Sequence, residues 1–105
     1  MKPMELQEIA KKVSPILNKY AIQKVWVFGS YARGDADLAS DIDIIVCLEG
    51  STVNGLLKFA RLNRELEIAL GMPVDLLSDR QVQPVTDKED LFSQKVLKER
   101  ILLRA

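Results

Sequence analysis

Histidine is absent from the 105 residues of this chain and cysteine occurs once, which removes much of the usual catalytic repertoire. Without imidazole, proton transfer falls to a carboxylate, to water or to a substrate's own phosphate, and no metal is held through a ring nitrogen. A lone Cys47 allows neither an internal disulfide nor a zinc cage, and its place in an apolar run marks it as a buried, inert thiol rather than a nucleophile. An excess of one charge is missing too. Fifteen basic residues cancel fifteen acidic ones, and no dense basic stripe stands out, so the electrostatic footprint of a nucleic-acid binder is absent. That weighs against a polymerase or a tRNA-modifying enzyme. No apolar run is long enough to span a membrane, and residues 1–20 alternate charged with apolar positions, unlike a signal peptide; the expected location is the cytoplasm. There is no internal repeat or low-complexity segment. At this length one domain, 1–105, is expected, with room for a single core but not for a dedicated substrate domain.

What the chain does contain is organised around Val25 to Leu48. VWVF is followed by Gly29-Ser30, then by ten residues, then by Asp41-Ile42-Asp43 opening the apolar run IDIIVCL. Two apolar runs flanking a short polar segment read as two strands, with the glycine-serine leaving the first and the paired carboxylates beginning the second. Glycine lets the backbone approach a phosphate, serine adds a hydroxyl and the first amide of a helix, and aspartates bind hard divalent cations. On a strand, positions i and i+2 share a face with Cα atoms roughly 6.5–7 Å apart, so Asp41 and Asp43 converge while Ile42 and Ile44 point the other way. A two-metal centre needs cations about 3.5–4 Å apart, which neighbouring carboxylates suit. Loop or strand-end aspartates in water are the plainer explanation of a D-x-D, but acids set directly before five apolar residues, Ile44 to Leu48, repel one another unless a cation meets them.

Around this stretch the pattern predicts alternating helices and strands. Residues 3–20 place Leu6, Ile9, Ala10, Val13, Ile16, Leu17 and Tyr20 on one helical stripe, with a kink or a second helix start expected at Ser14-Pro15. Residues 23–28 form the first strand, apolar on both faces and therefore covered on both. Ser30 to Arg33 begins a short helix that Gly34 ends, and Arg33 is either a cation for phosphates or a solvated loop arginine. Asp35 and Asp37 read as loop surface, and Ser40 as a residue orienting the start of the second strand. After the turn-rich 50–55, a helix to about Leu70 buries Leu56, Phe59, Leu62, Leu66, Ala69 and Leu70, and Gly71 with Pro73 stops it. Lys58, Arg61 and Arg64 recur on its other side, either a solvated face or a surface for a partner. Val74 to Ser78 is a third strand whose Asp75 is either a solvent-facing edge position or a third site carboxylate. Thr86-x-x-Glu89 after Pro84 is a capping box opening a last helix to about Lys98. Ile101-Leu102-Leu103 is either a short strand or a surface packed against a second chain.

Gly29-Ser30, the ten-residue spacer holding Ala32-Arg33-Gly34 and Ser40, and Asp41-x-Asp43 resemble the signature of the DNA polymerase beta type nucleotidyltransferase superfamily. More narrowly, the chain is similar to the minimal nucleotidyltransferases of bacteria and archaea, the MntA-like antitoxins encoded beside HEPN-domain toxins. The resemblance covers most of the chain, and no motif position departs from it. It implies that Asp75, in Pro73-Val-Asp-Leu-Leu77, is the third catalytic carboxylate. It also implies an α/β (α+β) nucleotidyltransferase fold, a small mixed sheet with helices packed on it. For the site to assemble, the first two strands must run antiparallel and the third parallel to the second, through a right-handed helical crossover.

The activity expected on these grounds is transfer of a nucleoside monophosphate from an NTP, ATP, to a hydroxyl. Asp41, Asp43 and Asp75 would be both catalytic residues and ligands of two Mg²⁺ ions, hard cations that suit all-oxygen donors. Gly29, Ser30 and Arg33 would bind the nucleotide. A domain of this size leaves the acceptor to a partner, and the resemblance implies a HEPN toxin modified by AMP on a tyrosine. Two other readings stand beside it: an aminoglycoside-type nucleotidyltransferase subunit completed by oligomerisation, and an antitoxin that blocks its partner by binding alone.

Overall fold

The computed structural model describes residues 4–79 and 100–104. In chain order these form α1 (Leu6–Lys19), β1 (Val25–Phe28), α2 (Ser30–Arg33), β2 (Ile42–Val46), α3 (Leu56–Leu70), β3 (Val74–Ser78) and β4 (Ile101–Arg104). The strands make one mixed sheet in the order β3-β2-β1-β4. β1 is antiparallel to both β2 and β4, and β2 is parallel to β3, as assembly of the site requires. Ile101 to Arg104 is thus a strand, closing the sheet beside β1. The proposed last helix, from Thr86 to about Lys98, lies outside the described residues.

Period-2 and period-3.6 patterns meet in the core. Ile9, Val13 and Leu17 descend α1 at four-residue intervals, Leu62, Leu66 and Leu70 descend α3 in the same way, and both rows are buried. They pack on one sheet face made of Val25 and Val27, Ile42, Ile44 and Val46, and Val74 and Leu76. Each such side chain contributes about 1.5–3 kcal/mol of transfer free energy when fully buried. The alternate strand positions form a second cluster, Phe28 and Ile45 with Trp26 and Leu77 against them. The sheet is therefore apolar on both faces, the expected reason for the continuous apolar character of β1 and β2.

Two expectations are corrected. α1 is a single helix that carries Pro15 in its interior, and no second helix begins at Ser14; the buried row of Ile9, Val13 and Leu17 runs past the proline and outweighs the amide it lacks. Leu56 does not face the core but is 84% exposed, because it occupies the first turn of α3 before that helix meets the sheet. Among the described residues no helix is long and apolar enough to cross a membrane.

Candidate active site

The site lies where three chain segments meet at one end of the sheet. Strand register puts Phe28 opposite Asp43 across β1 and β2, and Asp43 opposite Asp75 across β2 and β3. Gly29 follows Phe28 directly, so glycine and both aspartates fall in one row across the strands. A Cβ at Gly29 would lie 2.3 Å from Asp43 Oδ2 and 3.2 Å from its Cγ, and the residue has φ +71°. Glycine is needed there twice over, for the backbone turn and for the space the carboxylate fills.

From Gly29 the chain enters α2 at once. The Arg33 amide donates to the Gly29 carbonyl at 3.0 Å, and Gly34, in the left-handed region, donates to the Ser30 carbonyl at 3.0 Å. Ser30 is thus the first residue of a single-turn helix whose opening amides have no intrahelical acceptor. Tyr31 anchors the turn: its ring is buried and its hydroxyl reaches Met72 Sδ at 3.7 Å. The loop back to β2 is shaped by Asp37 and Ser40. The Ala39 amide and the Ser40 hydroxyl both donate to Asp37 Oδ1, and the Asp37 amide donates to Ser40 Oγ at 2.9 Å. These bonds deliver Asp41 to the strand start, where it stands exposed. Asp37 and Ser40 are therefore structural turn residues.

Burial first, and carboxylate crowding after it, set the electrostatics. Burial, a hydrogen bond to Asp75, and the charges of Asp75 and Asp41 push the Asp43 carboxyl up to about 6, with Arg33 opposing. Arg33 is itself ion-paired at 3.1 Å with Asp35, which lies exposed on the loop as expected. The donor set fits a hard divalent cation: all the candidate atoms are carboxylate oxygens, and two of the carboxylates are close enough to share a proton, a repulsion that a cation would relieve. Among the described residues no three acidic or sulfur side chains form a ready-made metal cage. The pair that is in direct contact is Asp43 with Asp75, while Asp41 stands at its open side. Cys47, expected to be buried, is half-buried just beyond the end of β2, and burial pushes its thiol up from the ordinary range.

One contributor was not foreseen. Glu67, near the end of α3, accepts the Val74 amide at 3.0 Å, and the Ile42 amide donates to the Pro73 carbonyl at 3.2 Å. Together they fix the start of β3 beside the start of β2, and so the height at which Asp75 meets Asp43. A glutamate near a helix end is common, and only the fold reveals what this one holds.

The family described as the nucleotidyltransferase domain matches residues 6–103. The chain belongs to that family. This nucleotidyltransferase is 39% identical over 93 residues to a Methanocaldococcus jannaschii protein provisionally named a protein adenylyltransferase, spanning 89% of this chain and 97% of the relative. It is 44% identical over 59 residues to the protein adenylyltransferase MntA of Thermococcus cleftensis, spanning 56% and 58% of the two chains. Among solved structures, a provisionally named minimal nucleotidyltransferase superposes with a TM-score of 0.64 at 32% identity, over 93% of this chain and 95% of that one. A toxin-antitoxin complex with AMP-PNP gives a TM-score of 0.68 at 27% identity, over 90% and 71%. A tri-AMPylated Shewanella oneidensis HEPN toxin in complex with an MNT antitoxin gives 0.62 at 25%, over 93% and 71%.

Proposed function

We propose that this nucleotidyltransferase moves AMP from ATP to a tyrosine hydroxyl of a HEPN-domain toxin in the cytoplasm and so acts as an antitoxin, with residues 1–105 serving as one domain. The observation that carries the reading is the Asp43–Asp75 pair set against Gly29, a row of carboxylates facing the start of α2. Relatives named protein adenylyltransferases and the likeness to toxin-antitoxin complexes support the acceptor class.

In this reading the Gly29 and Ser30 amides and the Ser30 hydroxyl hold the β and γ phosphates, where charge builds as pyrophosphate leaves. Arg33, near enough to lower the Asp43 pKa, brings positive charge to the same side. Asp41, Asp43 and Asp75 would hold two Mg²⁺ ions, which would neutralise triphosphate charge and acidify the acceptor hydroxyl. Asp75, exposed at the outer side of the pair, takes the hydroxyl proton. The acceptor oxygen forms a bond to the α phosphorus, the bond from that phosphorus to the bridging oxygen breaks, and pyrophosphate departs.

The test is turnover. The HEPN-domain protein of the same genome is incubated in about tenfold excess with this chain, ATP and Mg²⁺, then separated, assayed and weighed. An enzyme inactivates the excess and leaves each recovered partner heavier by AMP, and the effect outlasts separation. A blocker acts one for one and leaves the mass unchanged. Equal neutralisation by an Asp41→Asn, Ser30→Ala double variant would rule out the enzymatic reading.

A further inference from the structure

α3 has an outer face that carries none of its buried residues. Leu57, Arg61, Arg64 and Ile68 follow one another at spacings of four, three and four, a single stripe about 16 Å long on the side away from the buried Leu62, Leu66 and Leu70. Leu57 is 70% and Ile68 72% exposed, and both arginines are exposed. Lys58 stands beside the stripe, its ammonium on the Thr52 carbonyl at 3.2 Å. The acids of α3 are engaged elsewhere: Glu65 with Lys19 and Tyr20, and Glu67 with the Val74 amide. Among the described residues no carboxylate pairs with Arg61 or Arg64. Glu65 feels the Arg61 charge but gives its oxygens to Lys19 and Tyr20, so a protein of zero net charge presents two exposed guanidinium groups without a direct ion pair among the described residues, between two bare aliphatic side chains.

We infer that this face docks the acceptor protein, through a helix that presents aliphatic side chains to Leu57 and Ile68 and carboxylates to Arg61 and Arg64. Three arguments select that occupant. A second copy packed two-fold on the same face would set the arginines against each other, a like-charge contact that disfavours self-association. A nucleic acid would want aromatic platforms for its bases, and the exposed large apolar residues of α3 are Leu56, Leu57 and Ile68, all aliphatic. An acidic amphipathic helix satisfies both the cations and the aliphatic ends. Position adds a purpose. Arg64 and Ile68 also line a shallow groove with Met72, Pro73 and Glu67, whose carboxylate is held by the Val74 amide, and Pro73 leads into β3 two residues before Asp75. A partner lying along α3 is thus brought to the carboxylate end of the sheet.

This inference rests on the HEPN-acceptor reading, and its test separates the two. Binding of the HEPN-domain protein is measured by calorimetry for the parent chain, for Arg61→Glu with Arg64→Glu, and for Ile68→Asp, with AMP transfer followed in parallel. Thermal melts and ATP binding with Mg²⁺, unchanged in both variants, show that they are folded with an intact nucleotide site. The expected result is a loss of at least about tenfold in affinity for each variant, with the charge-reversed one recovered when acidic residues on one helix of the partner are changed to lysine. Unchanged affinity in folded variants, with AMP transfer intact, overturns the docking face and leaves the adenylyltransferase reading standing. Affinity lost in the variants while the parent transfers no AMP supports the face and overturns the transfer reading. No association of the parent chain overturns both. Equal displacement of the partner by a short RNA, abolished by Arg61→Glu with Arg64→Glu, would reassign the face to nucleic acid.

Discussion

Asp43 is the part-buried carboxylate of the candidate site, set against Gly29 and crowded by Asp75 and Asp41. Its carboxyl is raised from the ordinary 3.8 to about 6, first by burial and then by Asp75 and Asp41. A carboxyl whose pKa is higher folded than unfolded contributes stability that is fully present below the unfolded value and is lost as pH rises through the folded one. In chelator the protein should therefore lose stability between pH 4 and about pH 6.5. The full linkage value is scaled down to about 1 kcal/mol because the group is half exposed to solvent. Asp43→Asn should flatten that limb and melt higher than the parent at pH 7 in chelator while losing AMP transfer; urea titrations from pH 4 to 8 measure it. A large loss of stability on substitution would make Asp43 a structural acceptor instead. That Gly29 and Asp43 would stand near one another was legible in the sequence, because both lie at the facing ends of two apolar runs. That the Asp43 carboxylate occupies the space of the missing Gly29 side chain was not, since it depends on cross-strand register.

Among the elements, α3 and β3 show what periodicity can and cannot convey. The buried rows of α1 and α3 follow from helical spacing, and Val74–Ser78 was found at its observed ends. Leu56 was misplaced because periodicity assigns a face without saying where along its length a helix leaves the core. The second helix start weighed at Ser14-Pro15 does not occur, because intrinsic propensity is a weak prior against tertiary burial. Ile101 to Leu103 stayed undecided because its pairing partner, β1, lies more than seventy residues back in the chain. The contact that sets the height of β3 belongs to the same class of non-local facts. Glu67→Ala leaves the Val74 amide without its acceptor, at a cost of about 1–2 kcal/mol, and lets the start of β3 shift against β2. Denaturant melts should show that loss, and hydrogen exchange at Val74 should quicken. Transfer should fall more than ATP binding does, since Asp75 moves and Gly29-Ser30 does not. Glu67→Gln retains an acceptor oxygen and should restore most of both.

For the whole molecule, charge balance decides which partners are open to it. Topology was legible from the requirement that Gly29, Asp43 and Asp75 meet, and the observed strand order satisfies it. The distribution of charge was not, because only the fold shows that, among the described residues, Arg61 and Arg64 make no direct ion pair while Lys12, Lys19 and Arg33 do, Glu65 being drawn instead to Lys19 and Tyr20. This local surplus is small by the standards of nucleic-acid recognition. Proteins that hold DNA or RNA by electrostatics engage about 6–10 phosphates, and their affinity falls steeply with salt. A patch built on Lys58, Arg61 and Arg64 reaches about three, and the surrounding net charge of zero adds no long-range attraction beyond the Debye length of about 8 Å at physiological salt. Fluorescence anisotropy with a labelled RNA of about twenty nucleotides should accordingly show a Kd weaker than about 100 µM at 150 mM salt, with a slope of log Kd on log salt of about three or less. A submicromolar complex with a steep slope would mean that cations beyond α3 join the contact, and would move the acceptor from protein to nucleic acid.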